Sequence, residues 1–121
     1  MFELSQTFAF DAAHTLKRFV SPEEAASSRR IHGHTYTAEV IVAGERQPET
    51  GMVVDLAILR EAIAAVRSQL DHHFLDEVAG LGAPTLENLC VFIHSQIIKT
   101  IPQVSGVAVS RAAGDRCVYR P

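Results

Sequence analysis

Histidine is the residue type whose placement in this chain most clearly suggests chemistry. His32 and His34 stand on either side of Gly33, at the start of a predicted strand. Residues i and i+2 of a strand point to the same face, so both imidazoles can reach one metal ion at about 2.0–2.1 Å. Gly33 lets the backbone or a substrate approach closely. The pair alone indicates either a metal site or ordinary surface or core histidines.

A third histidine, His14, ends the predicted strand that precedes this pair. If the two strands pair antiparallel, their joined ends bring His14 to the same point as His32 and His34. Three neutral nitrogen ligands suit zinc and leave a fourth position open, as a catalytic site requires. A zinc site at these three residues is one interpretation, and a grouping of ordinary histidines remains the other.

A second cluster, Asp71, His72 and His73, follows a predicted helix. One interpretation is a helix C-terminus, where an imidazolium is favoured by the helix dipole. The other is a carboxylate that orients an imidazole for proton transfer. The residues themselves leave both open.

Composition limits the classes of function. The chain has 121 residues, 47% of them apolar and 21% charged, with a formal net charge of -3, which predicts one globular domain over residues 1–121. No run of Lys and Arg stands out, so we expect neither a nucleic-acid partner nor a membrane surface. The N-terminal residues lack a basic start and a long apolar run, and Cys90 and Cys117 form no C-x-x-C motif. We therefore expect a cytoplasmic protein with reduced thiols.

The elements that must position these histidines follow from periodicity. Apolar and polar residues alternate over residues 2–13, and residues 33–43 are rich in β-branched side chains, so both segments are predicted strands. Residues 15–31 between them are a predicted long loop with at most a short helical turn.

The second half of the chain contains the predicted helices. Asp55 and Thr85 are candidate N-caps, each followed by an apolar stripe at three- and four-residue steps. The first helix should end near Asp71 and the second near Ile101, where Pro102 stops it. Two last strands are expected at residues 104–111 and 116–120. The order ββααββ predicts an α+β fold.

Several motifs appear together in order. They are FDAAH at 10–14, IHGHTY at 31–36, TGMVVDLAIL at 50–59, LDHHFL at 70–75, PTLENL at 84–89 and CVYR at 117–120. In this combination the chain resembles the 6-pyruvoyltetrahydropterin and 6-carboxytetrahydropterin synthases of the tunnelling-fold superfamily. The resemblance implies an antiparallel four-stranded sheet with two helices on one face. It also implies a homo-oligomer, either a trimer whose sheets close into a barrel or a hexamer of two stacked trimers, with active sites at subunit interfaces.

The resemblance also implies roles for particular residues. His14, His32 and His34 match the family's zinc ligands, and Asp71 and His72 match its proton-transfer pair. Thr85 and Glu87 of the PTLENL segment are candidate substrate-binding residues. The implied activity is that of a zinc-dependent lyase of the 6-carboxytetrahydropterin synthase type. It would convert dihydroneopterin triphosphate, a small pterin, to 6-carboxytetrahydropterin in queuosine biosynthesis.

Two positions depart from the family pattern. A cysteine usually stands four residues before H-G-H, and here that position is Ser28, whose hydroxyl needs an adjacent base such as Glu23 or Glu24. Relatives also place a pterin-gripping glutamate where this chain has Arg111, which has donors only and suits a carboxylate or another acceptor. We therefore keep Ser28 as a candidate catalytic residue and Arg111 as a candidate substrate-binding residue.

These departures leave alternatives to the lyase. One is a relative with altered substrate or chemistry, and another is a non-catalytic zinc-binding paralogue. Because a buried guanidinium needs acceptors, Glu87, Asp115 or a bound anion is the expected partner of Arg111.

Overall fold

Two long strands form one half of the sheet. The computed structural model describes the backbone of residues 1–121 and every side chain except that of Ser28. Strand β1 spans Phe2–His14 and strand β2 spans His32–Gly44. They pair antiparallel without interruption, from Phe2 opposite Gly44 to His14 opposite His32. The predicted pairing of the first two strands is confirmed, and it brings His14 beside His32.

Two shorter strands complete the sheet. Strands β3 (Val104–Arg111) and β4 (Arg116–Tyr119) extend it in the order β1-β2-β3-β4, with every neighbouring pair antiparallel. A tight turn joins β3 to β4 through Gly114, whose φ of 108° favours glycine. The predicted four-stranded antiparallel sheet is confirmed.

Three helices connect or cover the strands: α1 (Pro22–Ser28), α2 (Leu56–Leu70) and α3 (Leu86–Ile97). A short 3-10 turn spans Leu75–Glu77. Asp55 caps α2 by accepting the Ala57 N–H at 2.9 Å, and Thr85 caps α3 by accepting the Asn88 N–H at 3.1 Å. Both predicted caps are confirmed.

Two boundaries differ from the sequence prediction. The loop between β1 and β2 contains the seven-residue helix α1, which starts with Ser21 as N-cap and Pro22 in the first turn. Helix α3 ends at Ile97 rather than near Ile101. Pro102 disfavours a helical conformation at Ile101, and the chain already forms a turn over residues 98–100. Ile101 is nevertheless buried in the core.

The core lies between α2, α3 and one face of the sheet. The rings of Phe10 and Tyr36 stack on this face with their centroids 4.9 Å apart, and both side chains are buried. Buried residues of the helices pack against it, namely Leu59, Ile63, Val66, Leu70, Leu89, Cys90, Ile93 and Ile97. Because side chains alternate along a strand, residues such as Asp11 and Thr35 point to the opposite face, called here the outer face. No helix in the described part of the chain is long and apolar enough to cross a membrane.

Candidate metal centre and active site

Three imidazoles meet where β1 ends and β2 begins. His14 lies opposite His32 in the sheet register, and His34 follows two residues later on the same face. The ring centroids are 4.4 Å apart for His14 and His32, and 5.0 Å apart for each of the other two pairs. One nitrogen from each ring lies within 4.8 Å of the others. The three residues expected to bind a metal are therefore brought together.

Backbone carbonyls orient two of these rings. His14 Nδ1 lies 3.0 Å from the Thr15 carbonyl oxygen, and His32 Nδ1 lies 2.9 Å from the Arg30 carbonyl oxygen. A carbonyl only accepts, so each Nδ1 must carry the hydrogen and each Nε2 keeps a free lone pair. Metal-binding histidines in proteins are usually held in this way. The arrangement fits a zinc site that uses Nε2 of His14 and His32.

Thr15 is itself held in place by Asp76. The carboxylate of Asp76 accepts the Thr15 N–H at 2.9 Å and also the Thr15 hydroxyl. Asp76 therefore fixes the residue whose carbonyl orients His14. The role of Asp76 was not predicted from the sequence, because Asp76 is 61 residues away from Thr15 along the chain.

Burial and charge favour the neutral form of His14 and of His34. His14 is only 3% exposed, and its Nε2 is buried without a hydrogen-bond partner among the described residues. Burial is the main cause that lowers the pKa of His14 and of His34 below the ordinary value of a histidine, and the Arg111 guanidinium lowers both further. Neutral imidazole is the form that binds a metal ion.

Arg111 lies beside this centre. It pairs with Tyr36 in the register of β2 and β3, which places it on the same face as His34. Its Nη1 is 3.4 Å from His34 Nε2, and its Nη2 donates to the carboxylate of Asp115. Of the partners considered from the sequence, the structure therefore shows Asp115. No ion pair joins Arg111 to Glu87 in the described residues.

Asp71 and His72 form a second cluster, separate from the three histidines. His72 Nδ1 lies 3.0 Å from Asp71 Oδ2, and Asp71 Oδ1 accepts the Asp11 N–H at 2.9 Å. The Asp11 carboxylate accepts the Thr35 hydroxyl at 2.5 Å. An open groove of about 520 Å³ is lined here by Asp11, Ala13, Gly33, His34, Thr35 and His72. Since Asp11 and Thr35 belong to the outer face, the cluster opens on the side of the sheet opposite His14.

Two further contacts hold Asp71. Arg67, four residues earlier, lies 3.1 Å from the Asp71 carboxylate and donates through Nε to the Ala9 carbonyl at 2.7 Å. The Asp11 N–H is the main cause that lowers the pKa of Asp71, followed by its hydrogen bond with His72. His72 adopts a left-handed backbone conformation with φ of 59°, which is uncommon for a residue other than glycine. The i,i+4 spacing of Arg67 and Asp71 could have been noticed in the sequence, whereas nothing in it indicated Asp11.

The remaining candidates stand apart from both clusters. Glu87 is exposed in the first turn of α3, and Thr85 caps that helix. Cys90, one turn after Glu87, donates to the Cys117 carbonyl at 3.6 Å, which places this end of α3 against β4. The side chain of Ser28 lies outside the described residues.

Comparison with known proteins agrees with this geometry. A family model described as 6-pyruvoyl tetrahydropterin synthase matches residues 3–121. A 6-carboxy-5,6,7,8-tetrahydropterin synthase of Synechocystis sp. is 33% identical over 115 residues, covering 90% of this chain and 85% of the relative. A dihydroneopterin monophosphate aldolase of Pyrococcus furiosus is 34% identical over 94 residues, covering 78% of this chain and 73% of the relative.

A solved structure confirms the fold. The 6-pyruvoyl tetrahydropterin synthase of Caenorhabditis elegans superimposes with a TM-score of 0.86 at 24% sequence identity, covering 99% of this chain and 95% of that one. The α+β tunnelling fold implied by the sequence resemblance is therefore confirmed. Because the family model spans nearly the whole sequence, the chain belongs to the 6-pyruvoyl tetrahydropterin synthase family.

Proposed function

We propose that this chain is a zinc-dependent lyase of the 6-carboxytetrahydropterin synthase type. Its substrate would be dihydroneopterin triphosphate and its product 6-carboxytetrahydropterin, a step of queuosine biosynthesis. The observation that carries the proposal is the cluster of His14, His32 and His34, in which two rings are oriented by backbone carbonyls. The relative from Synechocystis sp., which is named as a 6-carboxy-5,6,7,8-tetrahydropterin synthase, supports the choice of product.

The three histidines would hold the metal through neutral nitrogens. When bound, zinc supplies a Lewis acid that polarises the hydroxyl groups of the substrate side chain. His14 is almost fully buried while His32 is exposed, so the centre is closed on the protein side and open on the other. A substrate can therefore enter from the side of His32.

Asp71 and His72 would transfer protons. Asp71 accepts from His72 Nδ1, which leaves His72 Nε2 free to accept a proton from a substrate. The His72 side chain is 79% exposed and its cluster opens on the outer face. We therefore propose that this pair acts at the metal centre of a neighbouring copy rather than at the centre of its own chain.

We propose that the substrate is also held by residues at the start of α3, which stand apart from the metal centre of their own chain. Thr85 and Glu87 lie at the start of α3, and Glu87 is exposed and available as an acceptor for the N–H groups of a pterin ring. Ser28, or a glutamate of α1 such as Glu23 or Glu24, would take the place of the family's cysteine. This last assignment depends on sequence position alone.

The proposal requires a homo-oligomer, either a trimer or a hexamer. Strands β1 and β4 are the two edges of the sheet, and exposed edges tend to find partners. Phe2 is 48% exposed and Leu4 is 37% exposed on β1, where they line an apolar groove of about 510 Å³ together with Met52. A neighbouring copy that pairs with this edge would bury them. We also propose a cytoplasmic location.

Arg111 favours a second candidate function, a family relative with a different substrate. A guanidinium at a position that faces the metal centre cannot accept the N–H donors of a pterin ring. The relative from Pyrococcus furiosus is named as an aldolase on a monophosphate, so the family includes more than one reaction. A zinc-binding protein without catalytic activity is the third alternative.

One experiment separates these functions. The zinc-loaded protein is incubated with dihydroneopterin triphosphate, and the products are identified by mass. We expect 6-carboxytetrahydropterin, and we expect its formation to stop in metal-free protein and in His32→Ala. A different product would favour the altered-reaction alternative. Unchanged substrate after prolonged incubation with fully zinc-loaded oligomer would refute the lyase.

A further inference from the structure

Arg111 is the cationic side chain that contacts the three-histidine centre. It is 27% exposed, and its Nη1 lies 3.4 Å from His34 Nε2. A residue in this position must affect what binds beside the metal.

Some N–H donors of Arg111 have no protein acceptor. Nη2 donates to Asp115, but Nε is buried and has no partner in the described part of the chain. Among the described residues, the acceptor that Nη1 faces is the His34 Nε2 nitrogen.

Metal binding removes that acceptor as well. If the metal binds His34 through Nε2, that nitrogen has no lone pair left to accept. If it binds through Nδ1, the neutral ring must carry its hydrogen on Nε2. In either case the Nη1 donor of Arg111 needs an acceptor from a bound ligand.

The charges in the centre also favour an anion. Three neutral imidazoles contribute no negative charge to a divalent cation. Arg111 adds one positive charge, and its ion pair with Asp115, which is 51% exposed, offsets about that charge and no more. The Asp76 carboxylate, which holds Thr15 next to His14, offsets part of the charge of the metal ion, and the remaining positive charge favours a ligand that carries negative charge.

We propose that Arg111 makes the open position of the metal centre selective for an oxyanion. A carboxylate or phosphate oxygen of the ligand would lie between the metal ion and the Nη1 donor of Arg111, whose guanidinium is held in place by the pairing of Nη2 with Asp115. The inference rests on the proposed function for the presence of zinc and of a pterin-like ligand. It adds the chemical group by which this chain selects that ligand.

The test compares two pterins that differ only in the substituent at position 6, which is an anionic carboxylate in one and a neutral hydroxymethyl group in the other. Dissociation constants of pterin-6-carboxylate and of neutral 6-hydroxymethylpterin are measured by fluorescence on the zinc-loaded oligomer. We expect wild type to bind the carboxylate more tightly by about tenfold or more, the usual effect of a hydrogen bond to a charged group. In Arg111→Gln the ratio should fall towards one, and Arg111→Lys should retain part of it.

Arg116→Gln is the matched control. Arg116 lies on the same β3–β4 hairpin, but on the outer face, where it is 3.4 Å from Glu39. Its loss removes one positive charge of the same kind without changing the metal centre. We expect the ratio of the two dissociation constants to stay at the wild-type value in this variant.

A second measurement identifies the oxyanion. In cobalt-substituted protein, the visible spectrum reports directly on ligands of the metal, and inorganic phosphate and acetate are titrated separately. If phosphate changes the spectrum of wild type but not of Arg111→Gln, the site binds the phosphate end of a substrate. If acetate does so, the site binds a carboxylate. Because the spectrum also reports metal content, it distinguishes a lost anion site from a variant that no longer folds or binds metal.

Two results would overturn the inference. One is equal binding of the charged and neutral pterins by wild type, with no spectral change from either anion. The other is a preference for the anion that survives in Arg111→Gln. Neither measurement needs turnover. An Arg111-dependent preference without conversion of dihydroneopterin triphosphate would therefore refute the lyase alone, and conversion without any preference would refute this inference alone.

Discussion

Removal of one histidine should remove most of the stabilisation of this protein by zinc. His32 is the best position for this change, since it is exposed and its replacement by alanine leaves the core intact. In the metal-free protein, His14 Nε2 is buried and unpaired within the described residues, a state that typically costs about 1–3 kcal/mol. Zinc gives that nitrogen a partner, so the metal should stabilise the folded chain.

The size of the effect follows from mass action. With free zinc at about 100 times its dissociation constant, binding stabilises the native state by about 2.7 kcal/mol. For a domain of this size, 1 kcal/mol corresponds to roughly 4 °C in Tm, so zinc should raise Tm by about 10 °C. Loss of one ligand should weaken zinc binding on the order of 100-fold. At the same zinc concentration, His32→Ala should then gain only about 0.4 kcal/mol, or roughly 2 °C.

The assay is a thermal melt with and without zinc, together with measurement of bound metal. His73→Ala is the matched control, because His73 is an exposed histidine of the other cluster and lies outside the group of three. It should keep the full zinc-dependent shift. A shift in His32→Ala equal to that of wild type, or no shift in wild type at full zinc occupancy, would refute the proposed centre.

Three other predictions test the surrounding structure. Asp76→Asn should weaken zinc binding about tenfold, because Asp76 holds the carbonyl that orients His14, and an unchanged dissociation constant from metal titration would contradict this. The Asp11 N–H and the hydrogen bond with His72 hold the pKa of Asp71 below its ordinary value of 3.8, so its stabilisation should be complete above that pH and lost as the pH falls through the lower, folded value. The free energies of unfolding in urea of wild type and Asp71→Asn should therefore differ at neutral pH and converge as the pH falls below 3.8, and a difference that grows on acidification would show that the sign is wrong. Sedimentation at micromolar concentration should report a trimer or hexamer, and a stable monomer would remove the basis for placing His72 at a neighbour's metal centre.

The grouping of His14, His32 and His34 was largely predictable because its determinants are local. The two-residue repeat of a strand places His32 and His34 on one face whatever surrounds them. Pairing of consecutive strands is the usual outcome, and it brought His14 to the same end of the hairpin. The two main helices were predictable for a similar reason, since Asp55 and Thr85 cap them within three residues in sequence.

Sequence periodicity predicted secondary structure less well where a segment is short or where a helix ends irregularly. Helix α1 has only seven residues and no clean apolar stripe, so the segment was predicted as a loop with at most a helical turn. The apolar stripe of α3 continues to Ile101, and that residue is indeed buried, but burial does not require it to be helical. The stripe therefore predicted the core contact correctly and the helix end incorrectly.

Only the tertiary structure decided which groups assist the histidines and on which side. Asp11 meets Asp71 across 60 residues, and Thr15 meets Asp76 across 61. The choice of Asp115 over Glu87 as the partner of Arg111 depended on the geometry of one hairpin turn. The location of His72 on the outer face depended on how the chain leaves α2 and runs along the edge of β1, where the His72 N–H donates to the Asp11 carbonyl at 2.7 Å. These contacts join segments whose approach is set by packing of the whole domain, and no local spacing rule contains that information.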